Sequence, residues 1–393
     1  MTRNTHRFLA VALLASLTVG TGCASKVFES KSLVPWSKDR NKNYATPERV
    51  IAVWTDAVYQ LPGKPPTRGF GGRIYFYDRE GQVVPVDGQA WTSDPFQLTR
   101  RDGRLYGRGT TDMKGFLACM LAAVPMFQEH DLKLPVHLTC CYDEEIGGFG
   151  APHLVAQIAA QGLRPAVAIV GEPTEFRIVS GHKGGFEMRT EIVGLSGHAS
   201  DPRKGVSAIF FAGRFLARLD EMSAQLAIEA RENSPFDPPY STINVGTFHG
   251  GTARNVIAGH CIIDWELRPI PGEDGRAILA EIDRFAREEL LPEMRALAPQ
   301  ASIFTTEHAA VPSLDPADAV EAVALISELT GLNSTECVSF GTDAGHFCHG
   351  GISTAVFGPG SIRRAHRPDE FIEERELAAC LAFLDNLAYR LAR

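Results

Sequence analysis

From about Val83 onward, short β-branched runs alternate with longer helical stretches, and this alternation narrows the fold more than any other feature. Val136–Tyr142, Ala166–Val170 and Ser353–Phe357 read as buried strands. Lys114–Glu129, Asp318–Thr330 and Glu373–Leu391 read as helices with apolar faces. Strands separated by helices predict an α/β domain, with a mixed or mainly parallel sheet covered on both faces. In such sheets ligands bind beyond the carboxyl ends of the strands. The alternation breaks between about Lys183 and Gln300. Strand Gly185–Val193, helix Gly205–Met222, strands Thr242–Phe248 and Gly259–Arg268, and helix Asp274–Leu291 follow one another there. This β-α-β-β-α order is that of a small ferredoxin-like domain, here inserted into the larger one.

The region before Val83 has a different character. Arg3 and Arg7 precede an apolar run, Phe8–Val19, which leads into Gly20-Thr-Gly-Cys23. A basic start, a short apolar stretch and small residues describe a secretory signal over residues 1–22. Cys23 is then a lipidation candidate that would attach the chain to a membrane. Residues 23–82 read as a Lys-rich tether followed by a β-like segment, with strands at Ile51–Tyr59 and Arg73–Asp78 separated by Pro62-Gly63 and Pro65-Pro66.

Composition removes several function classes. The 393 residues carry 39 Lys and Arg against 47 Asp and Glu, a net charge of −8. That lacks the basic surplus of a nucleic-acid binder. Eight Cys occur with no CxxC pair, which fits neither a disulfide scaffold nor a structural zinc site.

Four clusters carry chemistry: Gly107-Arg-Gly-Thr-Thr-Asp-Met-Lys-Gly115, Asp143-Glu-Glu-Ile-Gly-Gly148, Gly171-Glu-Pro-Thr174 and Gly358-Pro-Gly-Ser-Ile-Arg-Arg-Ala-His-Arg-Pro-Asp-Glu370. Each places a carboxylate or imidazole at a Gly-rich turn beside a strand or helix end. Taken singly, each has an ordinary explanation in a turn or a solvated face. Brought together by the fold, these carboxylates need a cation or protons to balance them, and a mixed His and carboxylate set suits zinc.

From Val83 to the C-terminus the chain resembles the zinc aminoacylase/metallopeptidase family that includes the acetylornithine deacetylases. The resemblance is carried by Val83-Val-Pro-Val-Asp-Gly-Gln-Ala-Trp-Thr-Ser-Asp-Pro-Phe96, Tyr106–Leu117 and Gly358–Glu370. It implies a zinc-peptidase-like catalytic domain over residues 83–182 and 301–393, and a lid or dimerisation domain over 183–300. It also implies hydrolysis of a small N-acyl amino acid, N-acetylornithine above all, by a cytoplasmic homodimer. Carried over residue by residue, Asp112 would bridge two zinc ions, with cobalt a substitute. Glu145 and His366 would complete one site, Glu172 would serve the other, and Glu144 would be the general base. His198, in Gly194-Leu-Ser-Gly-His198, would reach a partner's site as a hydrogen-bond donor. Asn255, Arg268 and Thr342 would bind substrate.

One part of the pattern is missing. The family has a His-x-Asp pair just before the Val-Val-Pro run, where this chain has Glu80-Gly81-Gln82. No His lies between His6 and His130 to replace it. The expectation is one zinc rather than two and impaired activity. The alternative is an exported, lipid-anchored protein whose enzyme-like portion is inactive.

Overall fold

The structure is a computed structural model. It describes residues 27–29, 49–59 and 67–77 as backbone, then Val86 and residues 88–393, the side chain of Ile146 excepted. The signal stretch, Cys23 and Glu80-Gly81-Gln82 lie outside the described residues. The chain divides into two compact units, Met1–Gly81 and Gln82–Arg393.

In the first unit, β1 (Val27–Glu29), β2 (Arg49–Tyr59) and β3 (Thr67–Tyr77) form an antiparallel sheet in the order β1-β2-β3. β2 and β3 pair along their full length, from Arg49↔Tyr77 to Tyr59↔Thr67. Both strands are longer than the aromatic and β-branched runs that announce them.

The second unit opens with β4 (Thr99–Arg101), β5 (Arg104–Tyr106), α1 (Gly115–Ala122), α2 (Val124–Gln128), α3 (Gly150–Ala160), β6 (Val167–Val170) and β7 (Ile178–His182). The single helix expected over 114–129 is broken in two, with Pro125 in the first turn of α2. Proline has no N–H to continue a helix and is best placed at its start. Val136–Tyr142 is not a buried strand: it pairs with no strand among the described residues, and His137, Thr139 and Cys140 are exposed. Only Val136 and Leu138 pack on the core. Three of its seven side chains are exposed, and no neighbouring strand among the described residues supplies a ladder.

The inserted part comprises β8 (Gly185–Val193), β9 (Gly197–His198), α4 (Ala208–Ile228), β10 (Thr242–Gly250), β11 (Val256–Ile257), β12 (His260–Arg268), α5 (Gly275–Phe285) and α6 (Leu291–Leu297). β13 (Ser302–Val311) completes an antiparallel sheet in the order β10-β12-β8-β13. The sheet therefore takes a fourth strand from beyond residue 300. α4 buries Ala208, Ala212, Phe215, Leu219, Met222 and Leu226, one stripe at helical spacing. These meet Ile192, Ile263, Trp265 and Leu267 of the sheet, whose Trp265 Nε1 donates to Thr190 Oγ1 at 2.9 Å.

The chain then returns to the first layer with α7 (Val320–Thr330), β14 (Thr335–Val338), α8 (Ala344–His349), β15 (Ser353–Val356), β16 (Phe371–Glu373) and α9 (Glu374–Leu391). The sheet here has the order β14-β7-β15-β6 and is mixed: β14/β7 and β15/β6 are parallel, β15/β7 antiparallel. Phe116, Phe127, Ile178, Ile326, Phe357 and Phe383 pack as its core. No helix among the described residues is long and apolar enough to cross a membrane.

Candidate metal centre and active site

Two distant stretches meet because β5 and β16 share one ladder. Tyr106 pairs with Phe371, and Gly107 N donates to Glu370 O at 3.0 Å. The loop after β5, which carries Asp112, therefore runs beside the loop before β16, which carries His366. Glu370, buried, binds the two together. Its carboxylate accepts from the N–H groups of Gly109 (2.9 Å), Thr111 (2.9 Å) and Asp112 (3.2 Å), and from Arg108 Nη1 (2.8 Å). Arg108 Nη2 donates to Gln89 Oε1 at 2.7 Å, and Gln89 Nε2 donates to the His366 carbonyl at 3.1 Å. A charge-assisted network thus fixes the backbone under both Asp112 and His366.

Glu144 and Glu145 arrive on a single tight turn, Glu144–Ile146, closed by Gly148 N donating to Asp143 O at 2.9 Å. His366 Nε2 lies 3.2 Å from Asp112 Oδ2 and 3.0 Å from Glu145 Oε2. Asp112, Glu145 and His366 each offer one donor atom within 4.8 Å of the others. Carboxylate oxygens and imidazole nitrogens are both zinc donors, and three protein ligands leave the fourth position open that a catalytic zinc keeps. The residues present fit a metal ion. Asp112 and then Glu145 lift the imidazole to a pKa of about 10 by accepting its hydrogen bonds.

Two more carboxyls crowd the centre. Burial, then the negative charges of Asp343, Glu145 and Asp112, pushes Glu144 up to about 8. Glu172 follows β6, is buried against Asp112, and sits well above the ordinary carboxyl range because of burial and the charges of Glu144 and Asp112. This packing of acids is costly without a positive counterpart.

Of the residues singled out by sequence, Asp112, Glu144, Glu145, Glu172 and His366 come together. His198, Asn255 and Arg268 keep their hydrogen bonds within the inserted domain. His198 Nδ1 lies 2.7 Å from Ser200 Oγ, the Asn255 carbonyl accepts from Ala199 N at 3.1 Å, and Arg268 Nη2 donates to Glu266 at 2.8 Å. Thr342 is buried and caps Ala344 N at 3.1 Å. Sequence reasoning missed Glu370, Arg108 and Gln89, and also His182, Asp343 and His346 beside the Glu144 turn. Glu370 lay inside a motif already noted and Asp343 next to Thr342, but only burial separates them from solvated acids.

Residues 82–390 match the model of peptidase family M20/M25/M40. The chain belongs to this family. Its members are metal-dependent hydrolases, and the M20 fold accounts for both the mixed sheet and the inserted antiparallel one. An acetylornithine deacetylase of Myxococcus xanthus is 40% identical over 301 residues, covering 77% of this chain and 76% of that protein. One of Proteus mirabilis is 38% identical over 292 residues, covering 74% and 72%. Human carnosine dipeptidase 1 shares the fold with a TM-score of 0.58 at 16% identity, over 88% of this chain and 84% of that one. These M20 relatives support a deacylase or peptidase chemistry for the chain.

Proposed function

We propose that this chain hydrolyses N-acetylornithine to ornithine and acetate, with Asp112, Glu145 and His366 holding one zinc ion. The observation that supports this most is the convergence of those three donors within 4.8 Å beside Glu144, in a chain 40% identical to an acetylornithine deacetylase. Zinc, or cobalt in its place, supplies Lewis acidity to the amide carbonyl and lowers the pKa of water when bound. Glu144 takes the proton of the attacking water. A base whose conjugate acid titrates near the working pH is well matched to that task. The same carboxyl then returns the proton to the leaving amine. Glu370, through Arg108 and Gln89, keeps the loops of Asp112 and His366 in register.

In this reading Asn255 and Arg268 bind the substrate carboxylate, since a guanidinium fork holds both oxygens at once. Thr342 lines the opposite wall. His198 donates to the developing oxyanion from a second copy of the chain. That role requires a homodimer through the inserted domain. Its exposed apolar residues, Phe210 and Ile228 on α4 and Phe248 on the edge strand β10, give such an interface its material. Cys23 would anchor the exported chain to a membrane.

The absence of His-x-Asp at Glu80-Gly81-Gln82 favours a second reading, an exported, anchored protein whose enzyme-like portion is inactive. One experiment separates the two. Full-length protein, dialysed against chelator and reloaded with zinc, is assayed for acetate release from N-acetylornithine, and its intact mass is measured. Zinc-dependent release supports the enzyme. Zinc bound with no release, in a chain cleaved before Cys23 and lipidated there, supports the anchored protein.

A further inference from the structure

The inserted sheet covers one face with helices and carries charge on the other. β12 turns Cys261, Ile263, Trp265 and Leu267 into the core, so Asp264, Glu266 and Arg268 share the opposite face. Two ion pairs on that face differ in kind. Asp264 pairs with Arg189 across the ladder, where the register sets them opposite each other, at 2.6 and 3.1 Å. Glu266 has no cation across from it. Its ladder partners are Asn244 on β10 and Glu187 on β8. It bonds along its own strand instead. Arg268 Nε donates to Glu266 Oε1 at 3.0 Å, and Arg268 Nη2 donates to Glu266 Oε2 at 2.8 Å.

Two parallel N–H···O bonds occupy one edge of a guanidinium. A second edge remains, made by Nη1 and the other N–H of Nη2. Among the described residues nothing bonds Arg268 Nη1, and the side chain stays 33% exposed. The residue after Arg268 is tied to the place where the chain enters the inserted sheet. Gly184 N donates to Pro269 O at 2.9 Å, and the adjacent Lys183 N donates to Val338 O at 3.3 Å. A Cβ on Gly341 would lie 3.5 Å from Lys183 O, which brings the loop of Thr342 to the same segment. Glu266 acts in two opposite ways on a carboxylate arriving at the second edge of Arg268. Its charge repels the ligand, and its bonds hold the fork in one orientation. On a half-exposed surface the repulsion across the width of a guanidinium is weakened by water and salt. A free Arg side chain, by contrast, gives up its rotamer freedom on binding. Orientation therefore outweighs repulsion.

We propose that Glu266 is a positioning residue for substrate binding: it holds the Nε–Nη2 edge of Arg268, so that the Nη1–Nη2 edge meets the carboxylate of the N-acyl amino acid. This deepens the proposed function and rests on its reading of Arg268.

The test compares N-acetylornithine with N-acetylputrescine, which lacks the carboxylate, on the zinc-loaded full chain. Arg268→Gln should raise KM for N-acetylornithine about 100-fold. Glu266→Gln should raise it about 10-fold with kcat within about twofold of the parent, and Glu266→Asp, which keeps the charge, should raise it less. The preference for N-acetylornithine over N-acetylputrescine should fall by the same factors. The double variant should be no worse than Arg268→Gln alone, because Glu266 acts only through Arg268. An unchanged or lowered KM in Glu266→Gln overturns the inference, and a lowered one makes Glu266 a competitor for the fork. Losses that multiply in the double variant overturn it too. Circular dichroism identifies a variant that fails to fold, and Glu266→Asp then decides. Where the parent releases no acetate, calorimetry of ornithine against putrescine reads the same preference as affinity. A parent indifferent to the carboxylate, or a preference kept in Arg268→Gln, overturns the reading of Arg268 and this inference with it. A preference lost in Arg268→Gln but kept in Glu266→Gln overturns this inference alone.

Discussion

At the residue scale, Glu144 carries both the proposed chemistry and a measurable cost to the metal-free fold. Its carboxyl is raised from 4.5 to about 8 by burial and by neighbouring negative charge. Between those values the unfolded chain is ionised at this position while the folded chain keeps its proton. The folded state then binds more protons, so its stability is full below about 4.5 and is lost as pH rises through about 8. Glu144→Gln cannot ionise. We expect the metal-free variant to melt higher than the parent at pH 9 and at the same temperature at pH 5. We also expect acetate release to drop about 10²–10⁴-fold with the base gone. Equal melting shifts at both pH values would sink the electrostatic account. The carboxylates of this centre were legible in the sequence because each sits in a distinctive Gly-rich motif. Glu370 was not, because Pro368-Asp-Glu370 looks like a solvated turn until the fold buries its carboxylate under four donors. His182 was missed for a related reason. A lone histidine in Gly181-His-Lys-Gly184 gives no sign that its Nε2 ends up buried and unpaired.

At the scale of elements, periodicity gave helices and strands wherever packing agreed with it, and it failed at edges. α4 was readable because its apolar stripe recurs at helical spacing. Val136–Tyr142 misled because alternating residues describe a strand only if a neighbour accepts its backbone. β13 was left outside the inserted domain because pairing with β8, from Ser302↔Val193 to Val311↔Gly185, is a long-range property that no local pattern announces. The same sheet has an open edge at β10, and α4 beside it exposes Phe210 at 76% and Ile228 at 80%. Unpaired edges and exposed apolar residues are sites of association. We expect sedimentation to give a dimer at micromolar concentration. Replacing Phe210 by Lys should shift it toward monomer and lower acetate release, since His198 would lose the site it serves. A parent that sediments as a monomer with full activity would rule out both the dimer and the role of His198.

At the scale of the whole molecule, the supply of donors decides how many metal ions the chain can hold. Asp112, Glu145 and His366 suffice for one ion with an open position. A second would have Asp112 to share and Glu172 beside it. The family pattern completes that set with a histidine, and here Glu80-Gly81-Gln82 stands in its place, with no other His between His6 and His130. Metal analysis of the dialysed protein should therefore give one tightly held zinc per chain. The double variant Glu80→His and Gln82→Asp restores the ligand and the carboxylate that would orient it, a partner whose loss typically costs about 10–100-fold in affinity or activity. It does not restore the layer that would hold them. Met1–Gly81 forms a compact unit of its own, whose described residues are the strands β1–β3, β2 pairing with β3 in antiparallel fashion, with no helix among them. A site about 1 Å too loose usually fails. We therefore expect the double variant to gain weak binding of a second zinc while turnover stays below the range common for enzymes, about 1–1000 per second. Two tightly held ions and turnover within that range would mean that the segment before Val83 belongs to the catalytic fold, and that only two side chains separate this chain from a two-metal enzyme.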